Sequence, residues 1–146
     1  MSFLQGLEIA ATGLRAQRLR MNVASSNMAN VDTTRTANGQ GAYRRKQVSL
    51  RSAPIAPSGE TFSSSLNQAI RGVQVDGISE DTRTPMRVVF DPGHPDANAE
   101  GYVEKPNVNM LEEVVDMMTA SRSFEANATA FDTLKKMAQR ALQIGE

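Results

Sequence analysis

Residues 25–34, SSNMANVDTT, crowd Asn27, Asn30, Asp32, Thr33 and Thr34 into one short stretch. Amides and hydroxyls at that density can position a substrate, hold a ligand or cap a helix, and their neighbours decide which. The one acid–base arrangement in the chain is His94 in DPGHPD, with Asp91 and Asp96 nearby. A His–Asp pair does general acid–base work when it faces a substrate. In a run of turn formers, a solvent-facing histidine is the plainer reading. Asp76, Glu80 and Asp81 offer carboxylates to a cation, but without the spacing of an EF-hand loop. With no cysteine and a single histidine, disulfides, thiolate sites, cysteine nucleophiles and histidine-cluster metal sites are excluded. No Gly-rich phosphate loop, nucleophile elbow or paired-carboxylate motif appears. The expectation is a protein that is not an enzyme, with no catalytic residues, no cofactor and no metal.

Charge points the same way. Residues 1–51 hold eight bases against Glu8 and Asp32, a net +6, and the remainder holds eight bases against fourteen acids, a net −6. A basic half alone would suggest nucleic acid. A matching acidic half suggests mutual neutralisation, within one subunit or between neighbours. No aromatic platform accompanies the bases, so no nucleic-acid partner is expected. No apolar run approaches the roughly 18 residues of a membrane span, so direct membrane insertion is not expected. The start, MSFLQGLEIAATGL, lacks the basic head and unbroken apolar centre of a secretory signal, and no cleaved leader is expected.

The elements that must position these groups are two terminal helices. Leu7, Leu14, Met21 and Met28 recur every seven residues, with Ala10, Gln17, Ala24 and Val31 three places behind, a heptad pattern over 3–29. Ser2 and Gln5 resemble a capping box. Gly6 and Gly13 weaken the helix, which alone would be marginal in water. The last segment answers it. Met110, Val114, Met117, Ser121, Phe124, Ala128, Phe131, Lys135, Ala138 and Leu142 step by four and three, predicting a helix over about 110–144. Pro106 precedes it, Asn109 is placed to cap it, and Glu112 sits in the reciprocal position. Glu112, Glu113 and Asp116 near its start and Lys135, Lys136 and Arg140 near its end complement the helix dipole.

The middle reads differently. Tyr43–Leu50 and Met86–Phe90 look like strands, with Val73–Ile78 a weaker candidate. Residues 52–65 read as a loop and 91–101 as irregular. The predicted fold is mainly α with a small β-rich insert, the two long helices packed as a coiled coil. Its parts are an N-terminal assembly helix and Asn-rich cap (1–34), a β-rich or irregular middle (35–107) and a C-terminal assembly helix (108–146). In the first cap, Asn30 is expected in the left-handed conformation, with Asn27, Asp32, Thr33 and Thr34 bonding freed backbone groups.

LEIAATGLRAQRLRMNVASSNMANVDTT (7–34) resembles the N-terminal motif of bacterial flagellar rod, hook and hook-associated proteins. Their Asn-rich "NNxANxxT" element is matched by Ser26 to Thr33, with Ser26 where the family often has Asn. GYVEKPNVNMLEEVVDMMTASRSFEANATAFDTLKKM (101–137) is similar to the family's other terminal helix, in the wording of its proximal-rod members, as is DPGHPDANAEGY (91–102). The resemblance implies a structural subunit of the proximal rod of the flagellar basal body, part of the axial shaft that transmits torque. It implies type III export without a cleaved leader and assembly in the periplasm into a helical tube. The implied partners are other rod proteins, further copies of itself and the export apparatus. Candidate assembly residues are Leu7, Leu14, Met21, Met28, Val114, Met117, Phe124, Phe131 and Leu142. Those of the family motif and helix caps are Asn27, Ala29, Asn30, Val31, Thr33, Pro106, Asn107 and Asn109. The alternatives are another axial rod or hook subunit, a generic coiled-coil adaptor, or an enzyme using His94.

Overall fold

The structure is a computed structural model that describes residues 3–37, 39, 41–55 and 70–144. Helix α1 (Phe3–Ala29) comes first, then strands β1 (Lys46–Pro54), β2 (Arg71–Glu80), β3 (Arg87–Phe90) and β4 (Tyr102–Lys105), and finally helix α2 (Met110–Ile144). The strands form two separate two-stranded sheets, β1 with β2 and β3 with β4. The chain is thus mainly α with a small β insert. At 27 and 35 residues, the helices are about 40 and 52 Å long.

Both helices occupy the spans that their heptads predict. The second begins as expected. Asn109 Oδ1 accepts the Leu111 amide at 3.1 Å, and its Nδ2 donates to Glu112 Oε1 at 3.1 Å. The reciprocal half of the box therefore runs between side chains instead of from Glu112 to a backbone amide. Ser2 lies outside the described residues. The end of α1 differs from expectation, since among the described residues only glycines have positive φ. Asn30 keeps to the right-handed side. Three-residue turns close the helix, from Asn30 N to Asn27 O, Val31 N to Met28 O and Thr33 N to Asn30 O.

Strand β1 starts later and ends later than the pattern predicts. Tyr43 is instead turned inward, its N donating to Thr33 O at 3.0 Å. Residues 52–54, expected in a loop, extend β1, and 56–65 lie outside the described residues. The second sheet contains a strand with no recognised signal, Tyr102–Lys105. It pairs antiparallel with β3, Val88 opposite Glu104 and Phe90 opposite Tyr102. The connection at 91–101 is irregular as expected.

The described residues divide into two compact units. One comprises Met1–Leu19, Ser49–Gly77 and Thr119–Glu146, the other Arg20–Val48 and Ile78–Met118. In the first, α1 and α2 meet antiparallel through small residues. A methyl on Gly6 would lie 3.2 Å from Leu134 Cδ1, and one on Gly13 would lie 2.9 Å from Asn127 Oδ1. The partners step seven residues in opposite senses. The deepest positions of α1 thus run along one edge of the expected stripe and share Ala10 and Ala24 with it. Ala10, Gly13, Ala16, Val23, Ala24 and Asn27 are buried, whereas Leu7, Leu14, Met21 and Met28 are half-buried. Small residues admit a close backbone approach that leucine would prevent. Among the described residues, five of the nine buried apolar residues are alanines, and two of the three largest fully buried side chains are Glu113 and Asn27. These residues form little conventional core.

Candidate functional site

The second unit is organised around one amide. Asn27, on the last turn of α1, is 1% exposed and uses all four of its hydrogen-bonding positions. Its Nδ2 donates to Lys46 O and to Glu113 Oε2, each at 2.9 Å. Its Oδ1 accepts the Tyr43 hydroxyl and the Lys46 amide, also at 2.9 Å. The amide therefore ties the end of α1 to the start of β1 and to the first turn of α2. Glu113 Oε1 accepts Arg45 Nε, and Arg45 also lies 3.5 Å from Asp116. Burial works against the charge on Arg45. The hydrogen bond and charge of Glu113, with Glu112 and Asp116, outweigh it and hold the guanidinium above its ordinary value.

A second asparagine closes the other side of this joint. Asn107 Oδ1 accepts the Arg45 amide at 2.8 Å, and its Nδ2 donates to Asp81 O and Thr84 O at 3.0 Å. The Asp81 carboxylate caps its own turn, accepting the amides of Arg83 and Thr84 and the Thr84 hydroxyl. The Thr84 hydroxyl and amide are the main reason it is held below the usual carboxylate range. On either side of Asn107, Pro106 and Val108 are buried.

Four further polar side chains of SSNMANVDTT, those of Asn30, Asp32, Thr33 and Thr34, are committed as well. Asn30 Nδ2 donates to Ser26 O, Thr33 Oγ1 donates to Asn30 Oδ1, and Lys105 Nζ reaches Asp32 at 3.3 Å. Thr34 Oγ1 and Arg35 both bond Asp96, whose carboxyl is lowered first by Thr34 and then by Arg35. The expectation that Asn27, Asp32, Thr33 and Thr34 bond freed backbone groups is corrected: Thr33 bonds the Asn30 side chain, and the other three side chains reach distant segments. Ala29 is exposed and Val31 half-buried.

His94 has no such role. Its Nδ1 accepts the Asp96 amide at 3.1 Å within its own turn, and the Asp96 carboxylate belongs to Thr34 and Arg35. Among the described residues no group of three or more His, Asp or Glu side chains is placed to hold a metal, and no helix is long and apolar enough to cross a membrane. Chemically, this arrangement fixes segments in place. Charge does likewise: Arg20, Arg35, Arg45 and Arg51 of the basic half pair with Asp116, Asp96, Glu113 and Asp76 of the acidic half.

The start of α2 has an inverted polarity. Glu113 is 2% exposed, whereas Leu111, Val114, Val115 and Met118 are 72, 37, 54 and 52% exposed. At 100° per residue these four centre about 150° around the helix from Glu113. Their i, i+3, i+4, i+7 spacing makes one continuous apolar stripe. Among the candidate assembly residues, Val114 and Leu142 are exposed and Met117, Phe124 and Phe131 half-buried. Sequence reasoning missed Tyr43, Arg45 and Glu113 as members of the joint. One signal existed: Glu113 falls in heptad step with Met117, Ala120 and Phe124, a charge on an otherwise apolar stripe.

Two family models match the chain. One, described as "Flagella basal body rod protein", covers residues 7–35, and the other, "Flagellar basal body rod FlgEFG protein C-terminal", covers 99–144. Similar curated proteins carry the name flagellar basal-body rod protein FlgC. That of Bacillus subtilis is 48% identical, with 100% of both chains covered. That of Borreliella burgdorferi is 42% identical over 99% of this chain and 98% of its own. That of Salmonella typhimurium is 40% identical over 100% of both.

Proposed function

Since the chain belongs to the FlgC family of flagellar basal-body rod proteins and is a structural subunit of that rod, not an enzyme, we propose how it assembles. The terminal segments 1–34 and 108–146 are the assembly helices. They pack as a coiled coil with those of neighbouring copies and other rod proteins, and 35–107 forms the part outside that packing. The contacts are heterologous, so they propagate into an open helical tube, the proximal section of the torque-transmitting shaft. The subunit reaches the periplasm through the type III export apparatus.

The observation that carries this reading is the apolar stripe Leu111, Val114, Val115 and Met118 over the buried Glu113. Fully burying such side chains stabilises by about 1.5–3 kcal/mol each relative to exposure. A helix that buries a glutamate and exposes this stripe has its second packing partner in another chain. Replacing Leu111 and Met118 by Asp tests it. The variant is expected to be exported in normal amount, to be absent from purified basal bodies and to leave cells non-motile. Normal motility and normal incorporation would sink the reading.

A further inference from the structure

The β3–β4 hairpin has two unlike faces. Val103 on one is 1% exposed, with Val89, its register partner, half-buried. On the other, alternation places Val88, Phe90, Tyr102 and Glu104 together, and the first three are 58, 62 and 42% exposed. Phe90 is not loosely held. Its ring meets that of Tyr102 edge to face at 5.2 Å. Gly101, at φ +82°, leaves room for it, since a methyl there would stand 3.0 Å from the Phe90 ring. The connection closes on itself, Asp91 N donating to Gly101 O while Asn98 Oδ1 accepts the amides of Glu100 and Tyr102. Aromatic side chains fixed outward on a braced hairpin have little freedom left to lose and make good interface anchors.

Charge identifies the kind of partner. Residues 88–104 carry Asp91, Asp96, Glu100 and Glu104 and no Lys or Arg. Arg35 pairs with Asp96, and among the described residues the other three acids form no ion pair. On α1, Arg15 and Arg18 are exposed and likewise form none. Residues three apart on a helix stand about 5–6 Å from each other. Tyr102 and Glu104, two apart on one strand, are separated by about 6.6 Å. The spacings match.

We propose that the outer face of the β3–β4 hairpin docks α1 of a second copy of this chain. One of Arg15 and Arg18 lies over the Phe90 and Tyr102 rings, and the other pairs with Glu104. The inference rests on the rod-subunit reading, because the assembly is what brings copies together. It assigns the hairpin a contact separate from the α2 stripe.

The absence of native cysteine makes a clean test possible. Two differently tagged versions are co-expressed, one with Glu104→Cys and one with Arg18→Cys, and purified basal bodies are treated with a short bismaleimide. The expected product is a dimer carrying both tags, absent when either variant is expressed alone. Incorporation of both variants without a mixed-tag dimer would overturn the docking. Absence of the tagged wild-type chain from basal bodies would instead overturn the rod reading and this contact with it. As a second measurement, Glu104→Arg is expected to reduce swarm expansion several-fold, with recovery on adding Arg15→Glu and Arg18→Glu. Lack of recovery counts against the contact.

Discussion

The two units fix their segments by opposite means. In the unit of Met1–Leu19, Ser49–Gly77 and Thr119–Glu146, the contacts are defined by missing side chains. Gly6 faces Leu134, Gly13 faces Asn127, and Gly72 faces Thr12 and Ile55. In the unit of Arg20–Val48 and Ile78–Met118, the contacts are defined by saturated polar groups, Asn27, Asn107, Arg45 and Glu113. Shape complementarity tolerates small errors, because a neighbouring side chain can give way. A buried amide or carboxylate does not, because removing one partner strands the other out of reach of water. One helix can therefore be forgiving along one stretch and exacting along another. The exacting stretch is the one that carries SSNMANVDTT.

The largest test of that contrast is Glu113→Ala. It removes the acceptor shared by Arg45 Nε and Asn27 Nδ2, leaving Arg45 only Asp116 at 3.5 Å, and is expected to cost about 3 kcal/mol in chemical denaturation. Glu113→Gln, which keeps an acceptor for Asn27, should cost about 1 kcal/mol. Both tyrosines, Tyr43 and Tyr102, lie in this unit and the chain has no Trp, so tyrosine fluorescence follows it specifically. If Glu113→Ala leaves that transition unmoved, the polar joint is not what holds the unit.

Next in size is Gly13→Leu, which overpacks the contact with Asn127 and should cost about 2 kcal/mol. Gly13→Ala should be near neutral. It gains about 1 kcal/mol of helix propensity and gives that up in displacing an Asn127 side chain 2.9 Å from the new methyl. Equal costs for Gly13→Ala and Glu113→Ala would erase the distinction between the units. Smaller still is Thr12→Val, at about 0.5–1 kcal/mol, since the Thr12 hydroxyl donates to Ile9 O and accepts Val73 N at an exposed site.

Acid provides the mildest test. Asp81 and Asp96, both in the polar unit, have carboxyls lowered in the folded state. Their contribution is complete above the ordinary aspartate value near 3.9 and is lost as pH falls through the lower folded values. The tyrosine-monitored transition should therefore weaken below about pH 4, and Asp96→Asn should flatten that slope. An unchanged slope would show that Asp96 is no better bound in the folded chain than in the unfolded one.

Much of the fold was legible in the sequence. Heptad spacing and the Pro106–Asn109 punctuation located both helices, and the residues at 91–101 announced an irregular connection. Strand limits were less legible. Residues 52–54 read as a loop from their Ser and Pro content, yet they extend β1. Tyr43 reads as a strand residue, yet it turns to meet Asn27. In both cases a tertiary hydrogen bond or pairing overrides a weak local preference. The joint was half visible: its asparagines stood out, while the Arg45 and Glu113 that complete it looked like surface charge.

By itself, the sequence determined which segments are helical, because a sustained seven-residue period is a property of the chain. It also excluded disulfides, thiolate sites and histidine-cluster metal sites, because the chain has no cysteine and a single histidine. The buried face of each helix was decided only by tertiary structure. Two overlapping stripes of α1 share the same period and the residues Ala10 and Ala24, and periodicity favours the one that also bears Leu7, Leu14, Met21 and Met28. The fold buries Ala10, Gly13, Ala16, Ala24 and Asn27 more deeply, because close backbone approach and a four-bonded amide outweigh what larger side chains would gain there. The same choice turns Leu111, Val115 and Met118 outward.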